Sequence, residues 1–296
     1  MESLFRDIEK ICPAERCADM KKFTSFRIGG PAALLAQPRD GETLRAVLSL
    51  CRDIPHEIIG NGTNLLVGDG GYQGVLIRIG SEFSTVRVEG KRIFARAGAT
   101  LGAVAHAALE AGLSGMEPLS GIPGTVGGAV CMNAGAYGGE MADVIEEIAC
   151  LCPDLSFARR KEHGFSYRHS DYQENGCIVT DAVFSLSEGD RTEIRKEMET
   201  LSLRRREKQP LQLPSAGSAF KRPPGGYAAQ MIDEAGLRGF SVGGAAVSEK
   251  HAGFVVNTGG ATARDVRTLL SAVQAKVLET HGVQLEPEIR FLGDFI

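Results

Sequence analysis

The strongest chemical signal in the sequence is a glycine-dense segment, PLSGIPGTVGGAVCMNAGAYGGE, at residues 118–140. Seven glycines fall within the 19 residues from Gly121 to Gly139. A glycine inside a strand or helix costs about 0.5–1 kcal/mol relative to alanine, so this density predicts that something approaches the backbone closely. A planar ring lying along main-chain amides accounts for it. A flexible loop is the alternative, but Ile122, Val126 and Val130 are apolar and favour burial.

A second segment, IIGNGTNLLVG at 58–68, places a Gly-Asn-Gly-Thr-Asn loop between two apolar runs. Consecutive backbone N–H groups in such a loop can form an anion-binding nest, to which Thr63 and Asn64 add side-chain donors. A pyrophosphate suits that chemistry. An ordinary strand-to-strand turn is the alternative, since Asn-Gly dipeptides form such turns routinely. The loop is not a GxGxxG pattern opening a helix, which disfavours a Rossmann site.

The elements that must position these segments are helices and strands. They alternate up to about residue 80, as in an α/β unit, and a mixed region follows. A hairpin is predicted around Gly90, and Gly112 is expected to end a helix from 101 to 111. Thr262 and Asp265 form a capping-box pattern at the start of a late helix that Gly282 ends. Other predicted helices cover 42–52, 191–208 and YAAQMIDEAG (227–236), and predicted strands are HEIIG, GVLIRIG, CIVTDAVFSL, HAGFVVN and LEPEIRFL.

Changes in the pattern of predicted elements divide the chain into three predicted domains, 1–80, 81–203 and 204–296. The last of them contains a Pro- and Gly-rich stretch, LPSAGSAFKRPPGG, interpreted as a loop. The basic run RRREK at 204–208 suits either a phosphate-binding patch or a solvated helix face. The second interpretation is preferred because nearby acids dilute the charge.

Composition excludes several classes of function. A formal net charge of -4 argues against a general nucleic-acid binder, and no apolar run approaches the length of a membrane span. Seven cysteines occur with no CxxC pair, and Cys150 and Cys152 are too close for a usual zinc knuckle. The charged opening residues lack the apolar stretch of a signal peptide. Reduced thiols, no metal site, no membrane insertion and a cytoplasmic location are therefore expected.

Several motifs together resemble one family of flavoenzymes. GNGTNLL, SGIPGTVGGAVCMNAGAYG, SYRHSDY, GSAFKRP, KHAGFVVN and LEPEIRFLG occur in the order and spacing of the UDP-N-acetylenolpyruvoylglucosamine reductases, and the similarity runs from TSFRIGG at 24–30 nearly to the C-terminus. The resemblance implies a mixed α/β (α+β) protein of the VAO/PCMH-type FAD-binding fold. Two N-terminal subdomains would hold the flavin, and a C-terminal α+β domain would bind the substrate.

The implied reaction is the reduction of UDP-N-acetylglucosamine enolpyruvate to UDP-N-acetylmuramate, a step in peptidoglycan precursor synthesis, with NADPH as electron donor. FAD is expected to be noncovalent, because no histidine falls inside either FAD-binding segment. The resemblance implies cofactor contacts in both segments: Gly60, Asn61, Gly62, Thr63, Asn64, Ser120, Gly121, Ile122, Pro123, Gly124, Thr125, Gly127, Gly128, Asn133 and Ala136.

The resemblance further implies a catalytic set of Arg168, Ser218 and Glu288. In the family reaction hydride adds to C3 of the enolpyruvyl ether, leaving negative charge over C2 and the carboxylate. Arg168 would stabilise that charge, Ser218 would protonate C2, and Glu288 would position the enolate. Taken singly, each residue has an ordinary structural interpretation: a surface ion pair for Arg168, a turn for Ser218 and a surface pair for Glu288.

Substrate-binding residues implied by the resemblance are Tyr167, Lys221 and Arg222, the last two for diphosphate and carboxylate. Arg222 replaces an Asn found in one branch of the family, and the short Arg168–Ser218 spacing indicates the type II branch. Gln230 stands where the family pattern has Lys, so a phosphate contact there is in doubt.

Two other functions stay open from the residues alone: an oxidase of the same flavin fold, and a nonenzymatic module that binds a flavin or UDP-sugar. The expected partners are the sugar nucleotide and NADPH, used in turn at one pocket, and the chain is expected to be a monomer or weak oligomer.

Overall fold

A computed structural model describes all 296 residues of the chain. The seven α-helices are α1 (Glu2–Ile11), α2 (Gly41–Leu50), α3 (Leu101–Ala111), α4 (Val126–Cys131), α5 (Arg191–Lys208), α6 (Ala228–Glu234) and α7 (Ala263–His281). The strands are β1 (Ala14–Asp19), β2 (Pro31–Ala36), β3 (His56–Ile59), β4 (Leu65–Val67), β5 (Tyr72–Arg78), β6 (Val86–Glu89), β7 (Arg92–Arg96), β8 (Leu113–Ser114), β9 (Gly135–Ala136), β10 (Gly139–Glu140), β11 (Ile145–Leu151), β12 (Phe157–Arg160), β13 (Ile178–Ser185), β14 (Ser187–Glu188), β15 (Ser215–Ser218), β16 (Ser241–Val242), β17 (Ala245–Val247), β18 (Phe254–Asn257) and β19 (Arg290–Leu292). No helix combines the length and the apolar character needed to cross a membrane.

The chain divides into two compact units, each built from three separate segments. Unit 1 comprises Met1–Glu15, Leu34–Asn61 and Val75–Arg205, and unit 2 comprises Arg16–Ala33, Gly62–Gly74 and Arg206–Ile296. The last segment of unit 2 begins close to the predicted boundary at 204. Two earlier segments also belong to unit 2, and a division by sequence order cannot include them. The three-domain division remains a prediction.

Unit 1 contains a five-stranded antiparallel sheet in the order β12–β11–β13–β7–β6. The predicted hairpin around Gly90 is confirmed as β6 and β7. Helix α3 packs against these two strands. Its N-cap is Thr100, whose hydroxyl accepts from the Ala103 N–H, and Gly112 ends it with a left-handed φ of 67°. Both ends are therefore set by local residues, as the sequence indicates.

Unit 2 contains a four-stranded antiparallel sheet in the order β15–β18–β17–β16, against which α7 packs. The predicted capping box is confirmed: Thr262 accepts from the Asp265 N–H, and the Asp265 carboxylate accepts from the Thr262 N–H. One face of α7 buries Val266, Leu269, Leu270, Val273 and Val277 in the core of this unit. Strand β19 pairs in parallel with β4.

Three predicted elements differ from the structure. The strand predicted over LEPEIRFL is confined to β19, because the residues before it bond to the segment that follows β15. The stretch interpreted as a loop at 213–226 contains β15. The glycine-dense segment contains the helix α4, which was not among the predicted helices.

Candidate active site

The two predicted cofactor segments meet in unit 1 at Gly60 and Thr125. A Cβ added to Gly60 would lie 2.5 Å from the Thr125 Oγ1, so only glycine allows this approach. Gly60 directly follows β3, and Thr125 is the N-cap of α4. The Asn61 side-chain oxygen lies 3.5 Å from a guanidinium nitrogen of Arg78. The approach of Gly60 to Thr125 joins two segments that lie 65 positions apart in the sequence.

The rest of the first cofactor loop, Gly62 to Asn64, belongs to unit 2. Gly62 has a left-handed φ of 63°, and a Cβ there would lie 2.2 Å from the Phe23 carbonyl oxygen. The Asn64 side-chain amide donates to the Glu288 carbonyl at 3.0 Å, and the Arg290 N–H donates to the Asn64 carbonyl at 2.9 Å. Asn64 therefore fixes the backbone that carries the predicted catalytic Glu288.

Glycines of the dense segment serve the fold more than the sequence suggests. Added Cβ atoms at Gly121, Gly127, Gly135 and Gly139 would meet protein atoms at 2.8–3.1 Å. Gly128 differs, because a Cβ there would meet only the Thr125 Oγ1, at 3.4 Å, and the residue is exposed. The space above Gly128 is thus left open by the protein itself.

Helix α4 uses most of its first amides for the fold. The Val126 N–H donates to the Ala99 carbonyl and the Gly127 N–H to the Ala97 carbonyl, each at 2.8 Å. The Gly128 N–H reaches the Thr125 Oγ1 only at 3.4 Å, a weak contact. Among these three amides, Gly128 is the one best placed to approach a ligand.

Asn133 links the glycine-dense segment to the turn that carries Arg168. Its side chain is buried and its backbone is left-handed, with a φ of 39°. Its amide donates to the Ser166 carbonyl at 3.0 Å, and its oxygen accepts from the Ala142 N–H at 3.0 Å. Both ends of the side chain are thus bonded to the protein, and its predicted contact with flavin remains a prediction.

Arg168 sits at the tip of a two-residue turn in unit 1. The backbone groups of Ser166 and His169 exchange two hydrogen bonds of 3.1 Å, which close the turn. Arg168 has a left-handed φ of 55°, uncommon for a residue with a side chain. Its guanidinium lies 3.4 Å from the Gly135 carbonyl and 5.3 Å from the centre of the Tyr167 ring. The predicted catalytic cation is therefore held against the glycine-dense segment.

Other residues fix the same turn. The Ser170 hydroxyl donates to the Cys131 carbonyl at 2.9 Å, and the Gln173 amide reaches both that carbonyl, at 2.7 Å, and the Arg168 carbonyl, at 3.0 Å. His163 is buried beside it, with Nδ1 3.1 Å from the Tyr172 hydroxyl, and burial lowers the pKa of its imidazole. A backbone held in a rare conformation by this many contacts is typical of functional turns.

Ser218 and Glu288 come together in unit 2 through their backbones. Ser218 ends β15, whose pairing with β18 is irregular between Ser215 and Ser218. The next residue, Ala219, accepts at 2.9 Å from the Glu288 N–H, and the Lys221 N–H donates to the Glu286 carbonyl at 2.9 Å. The two predicted catalytic residues therefore lie on adjacent antiparallel segments, and both side chains are half-buried.

The predicted substrate-binding side chains already have partners on the protein. Lys221 forms an ion pair with Glu286, and the Arg222 guanidinium lies 4.4 Å from the centre of the Tyr227 ring. Tyr167 is half-exposed beside Arg168. The Gln230 amide donates to the Glu234 carboxylate at 2.8 Å.

Arg205 is a residue that the sequence analysis assigned to a solvated helix face. Arg204 and Arg206 are exposed, but Arg205 donates to the Gly121 carbonyl and lies 5.8 Å from the centre of the Tyr137 ring. The interpretation was wrong for this residue. The buried Leu201 lies one helical turn earlier on the same face of α5, and that spacing was the available signal.

Comparison with known proteins identifies the family to which the chain is similar. The family model for an FAD binding domain matches residues 32–154, and the model for the C-terminal domain of UDP-N-acetylenolpyruvoylglucosamine reductase matches 209–292. A protein of that name from Caldanaerobacter subterraneus is 51% identical over 279 residues, which cover 93% of this chain and 92% of the relative. One from Syntrophomonas wolfei is 44% identical, covering 98% of this chain and 100% of the relative.

A solved structure extends the likeness to three dimensions. The UDP-N-acetylenolpyruvylglucosamine reductase (MurB) of Thermus caldophilus superposes with a TM-score of 0.82 at 38% identity, covering 95% of this chain and 98% of that one. Identity of this extent, over nearly the whole of both chains, shows common descent. The chain belongs to the UDP-N-acetylenolpyruvoylglucosamine reductase family.

Proposed function

We infer that the chain reduces UDP-N-acetylglucosamine enolpyruvate to UDP-N-acetylmuramate, a step in peptidoglycan precursor synthesis, as an FAD-dependent oxidoreductase with NADPH as electron donor. One observation carries this assignment at the level of the residues. In unit 1, Gly60 meets Thr125, and Arg168 lies against Gly135. Two segments with the composition of flavin-binding loops thus adjoin a fixed cation.

The residues present fit FAD. Gly128 faces space that the protein leaves open, and its weakly bonded amide is available to a flat polar ligand. The Gly60–Asn64 loop provides an amide-rich turn suited to a pyrophosphate. Gly60, Thr125 and Gly128 would hold the cofactor noncovalently, and when bound it carries the hydride that reaches the substrate.

We propose that Arg168 stabilises the negative charge that develops on the substrate carboxylate and C2. The turn holds its guanidinium against the glycine-dense segment, 3.4 Å from the Gly135 carbonyl. A charge placed in advance needs little reorganisation during the reaction, which is the main source of electrostatic catalysis. The left-handed φ of Arg168 indicates that the turn is held for this placement.

Ser218 is the proposed proton donor to C2 of the substrate, and Glu288 the residue that positions the enolate. After hydride has added to C3, a proton from the Ser218 hydroxyl would form the new C–H bond at C2. The hydrogen bond between the Glu288 N–H and the Ala219 carbonyl keeps the two residues in a fixed relation. Serine is a weak acid, so this role depends on placement beside a strongly basic carbanion.

Lys221, Arg222 and Tyr167 are proposed to bind the sugar nucleotide. A diphosphate would have to compete with Glu286 for Lys221, whose side chain is 34% exposed. Arg222, which is beside Lys221 in the sequence, lies over the Tyr227 ring in a cation–π contact.

We also propose a monomer or weak oligomer that works in the cytoplasm. All seven cysteines are free, as in proteins of reducing compartments. Size-exclusion chromatography with light scattering would test the oligomeric state.

The visible absorption spectrum of the purified protein tests the function as a whole. The expected protein is yellow, loses its flavin bands on adding NADPH, and regains them on adding the enolpyruvyl sugar nucleotide. A colourless preparation that takes up no FAD, or reduced protein reoxidised by oxygen but not by the sugar nucleotide, would contradict the assignment.

A further inference from the structure

Three cysteine sulfurs cluster in unit 1, and none of them belongs to the proposed catalytic, cofactor-binding or substrate-binding residues. The Sγ atoms of Cys150, Cys152 and Cys177 all lie within 4.8 Å of one another. Alternate residues of an extended strand face the same side, which puts Cys150 and Cys152 together at the end of β11. The register of β11 with β13 pairs Leu151 with Ile178. Cys177 therefore comes opposite Cys152, and their sulfurs are 3.6 Å apart.

The sequence predicted no metal site, because it has no CxxC pair and Cys150 and Cys152 are too close together for a usual zinc knuckle. The fold brings a third cysteine to this pair from 25 residues beyond Cys152. Cys150 and Cys177 are buried, and Cys152 is half-buried, which gives an entry path for an ion.

The positively charged side chain of an arginine lies beside the three sulfurs. Arg160 of β12 lies with Nη2 3.5 Å from the Cys177 sulfur. Simple apolar packing of three cysteines would not place a guanidinium among them.

We propose that Cys150, Cys152 and Cys177 form a binding site for a thiophilic divalent cation of the zinc and cadmium class. Zinc–sulfur bonds of about 2.3 Å in a tetrahedron separate the sulfurs by about 3.8 Å, close to the 3.6 Å between the Cys152 and Cys177 sulfurs. Each thiol releases its proton to solvent as its sulfur binds the ion. Three thiolates and one divalent ion carry a net single negative charge, which Arg160 offsets. A Cys152–Cys177 disulfide would require a sulfur separation of about 2.05 Å and would leave Cys150 without a role.

Equilibrium dialysis of the FAD-loaded enzyme against cadmium tests this site, after treatment with chelator and a phosphine reductant. The expected result is one tightly bound cadmium ion per chain. Affinity should fall by about 10–100-fold or more in Cys152→Ser and in Cys177→Ser. The control is Cys17→Ser, which alters an exposed cysteine and should bind cadmium as the parent does.

A second measurement needs no variant. Cadmium should slow alkylation of Cys150, Cys152 and Cys177 in the parent enzyme, as identified by mass spectrometry, while Cys17 reacts at an unchanged rate. Equal cadmium affinity in Cys152→Ser and the parent, or alkylation of the three cysteines unaffected by cadmium, would overturn the proposal. Recovery of Cys152 and Cys177 as a disulfide from enzyme isolated without reductant would also overturn it, in favour of a thiol pair.

Discussion

Replacing Ser218 by alanine separates the two halves of the catalytic cycle. The hydroxyl of Ser218 is proposed to act only after hydride has left the flavin, when C2 of the substrate takes up a proton. Reduction of the flavin by NADPH needs no such donor. Ser218→Ala should therefore be reduced by NADPH at a near-normal rate and be reoxidised slowly by the enolpyruvyl substrate.

The structure sets the size expected for each effect. Ser218 is half-buried at the end of β15, so loss of its hydroxyl should change the free energy of unfolding by at most about 1.5 kcal/mol. Loss of a positioned general acid typically slows the chemical step about 10²–10⁴-fold, or about 3–5 kcal/mol in barrier height. The kinetic defect should thus greatly exceed any defect in folding.

Stopped-flow absorbance measures both half-reactions in one preparation. Ser215→Ala, a half-buried serine in the same strand, serves as a matched control and should reoxidise at the parental rate. Ser218→Cys should recover part of the rate, because a thiol can also donate a proton. If Ser218→Ala reoxidises as fast as the parent, the proton comes from another residue, with Glu288 the first to examine.

Three further perturbations test other parts of the site. Gly128→Val should fold, because a Cβ there would meet only the Thr125 Oγ1, at an ordinary contact distance of 3.4 Å, but it should purify with little FAD. Gly62→Val should instead give little folded protein, because its Cβ would lie 2.2 Å from a backbone oxygen. Retention of stoichiometric FAD in Gly128→Val, measured from the visible spectrum, would remove Gly128 from the cofactor site. Lys221→Ala should raise KM for the sugar nucleotide more than it lowers kcat. The control Glu286→Gln, which removes the ion pair of Lys221, should not raise KM. An unchanged KM in Lys221→Ala would exclude a role of Lys221 in binding the diphosphate. Burial holds the pKa of His163 below its unfolded value, so the unfolded chain binds more protons than the folded protein as pH falls below about 6.5. Urea denaturation should therefore show a loss of stability on acidification, and the loss should be smaller in His163→Gln. An identical pH dependence in the two proteins would contradict this.

The sequence predicts those elements whose ends are set by residues one or two turns apart. Thr100 and Gly112 bound α3, and Thr262 with Asp265 starts α7, each through hydrogen bonds made within the helix or at its ends. Helix α4 also has a threonine N-cap, Thr125, but its hydroxyl is 3.4 Å from the Gly128 N–H, a long contact. The shorter bonds of its first turn run from the Val126 and Gly127 amides to the carbonyls of Ala99 and Ala97, outside the helix. Partners so distant in the chain cannot be identified from the local sequence.

The same limit applies to the site. Motifs identify Arg168, Ser218 and Glu288 one at a time, but only the fold shows that Ser218 and Glu288 lie on adjacent segments. Nothing in the sequence of SYRHSDY shows that Asn133 holds the Arg168 turn through the Ser166 carbonyl. Supporting contacts of this kind join residues far apart in the chain. No fixed sequence spacing relates the two partners, so the sequence alone does not predict them.

The glycines of the dense segment have two different structural reasons. The cost of seven glycines in 19 residues suggests a ligand close to the backbone. Yet Gly121, Gly127, Gly135 and Gly139 are required by contacts within the protein, at Arg205, Ala97, the Gly139–Glu140 strand and Pro118. A glycine kept for a ligand should instead show open space where its Cβ would point and an amide not committed to the fold. Gly128 meets both conditions, which is why its substitution, rather than that of Gly62, tests the cofactor site without breaking the chain around it.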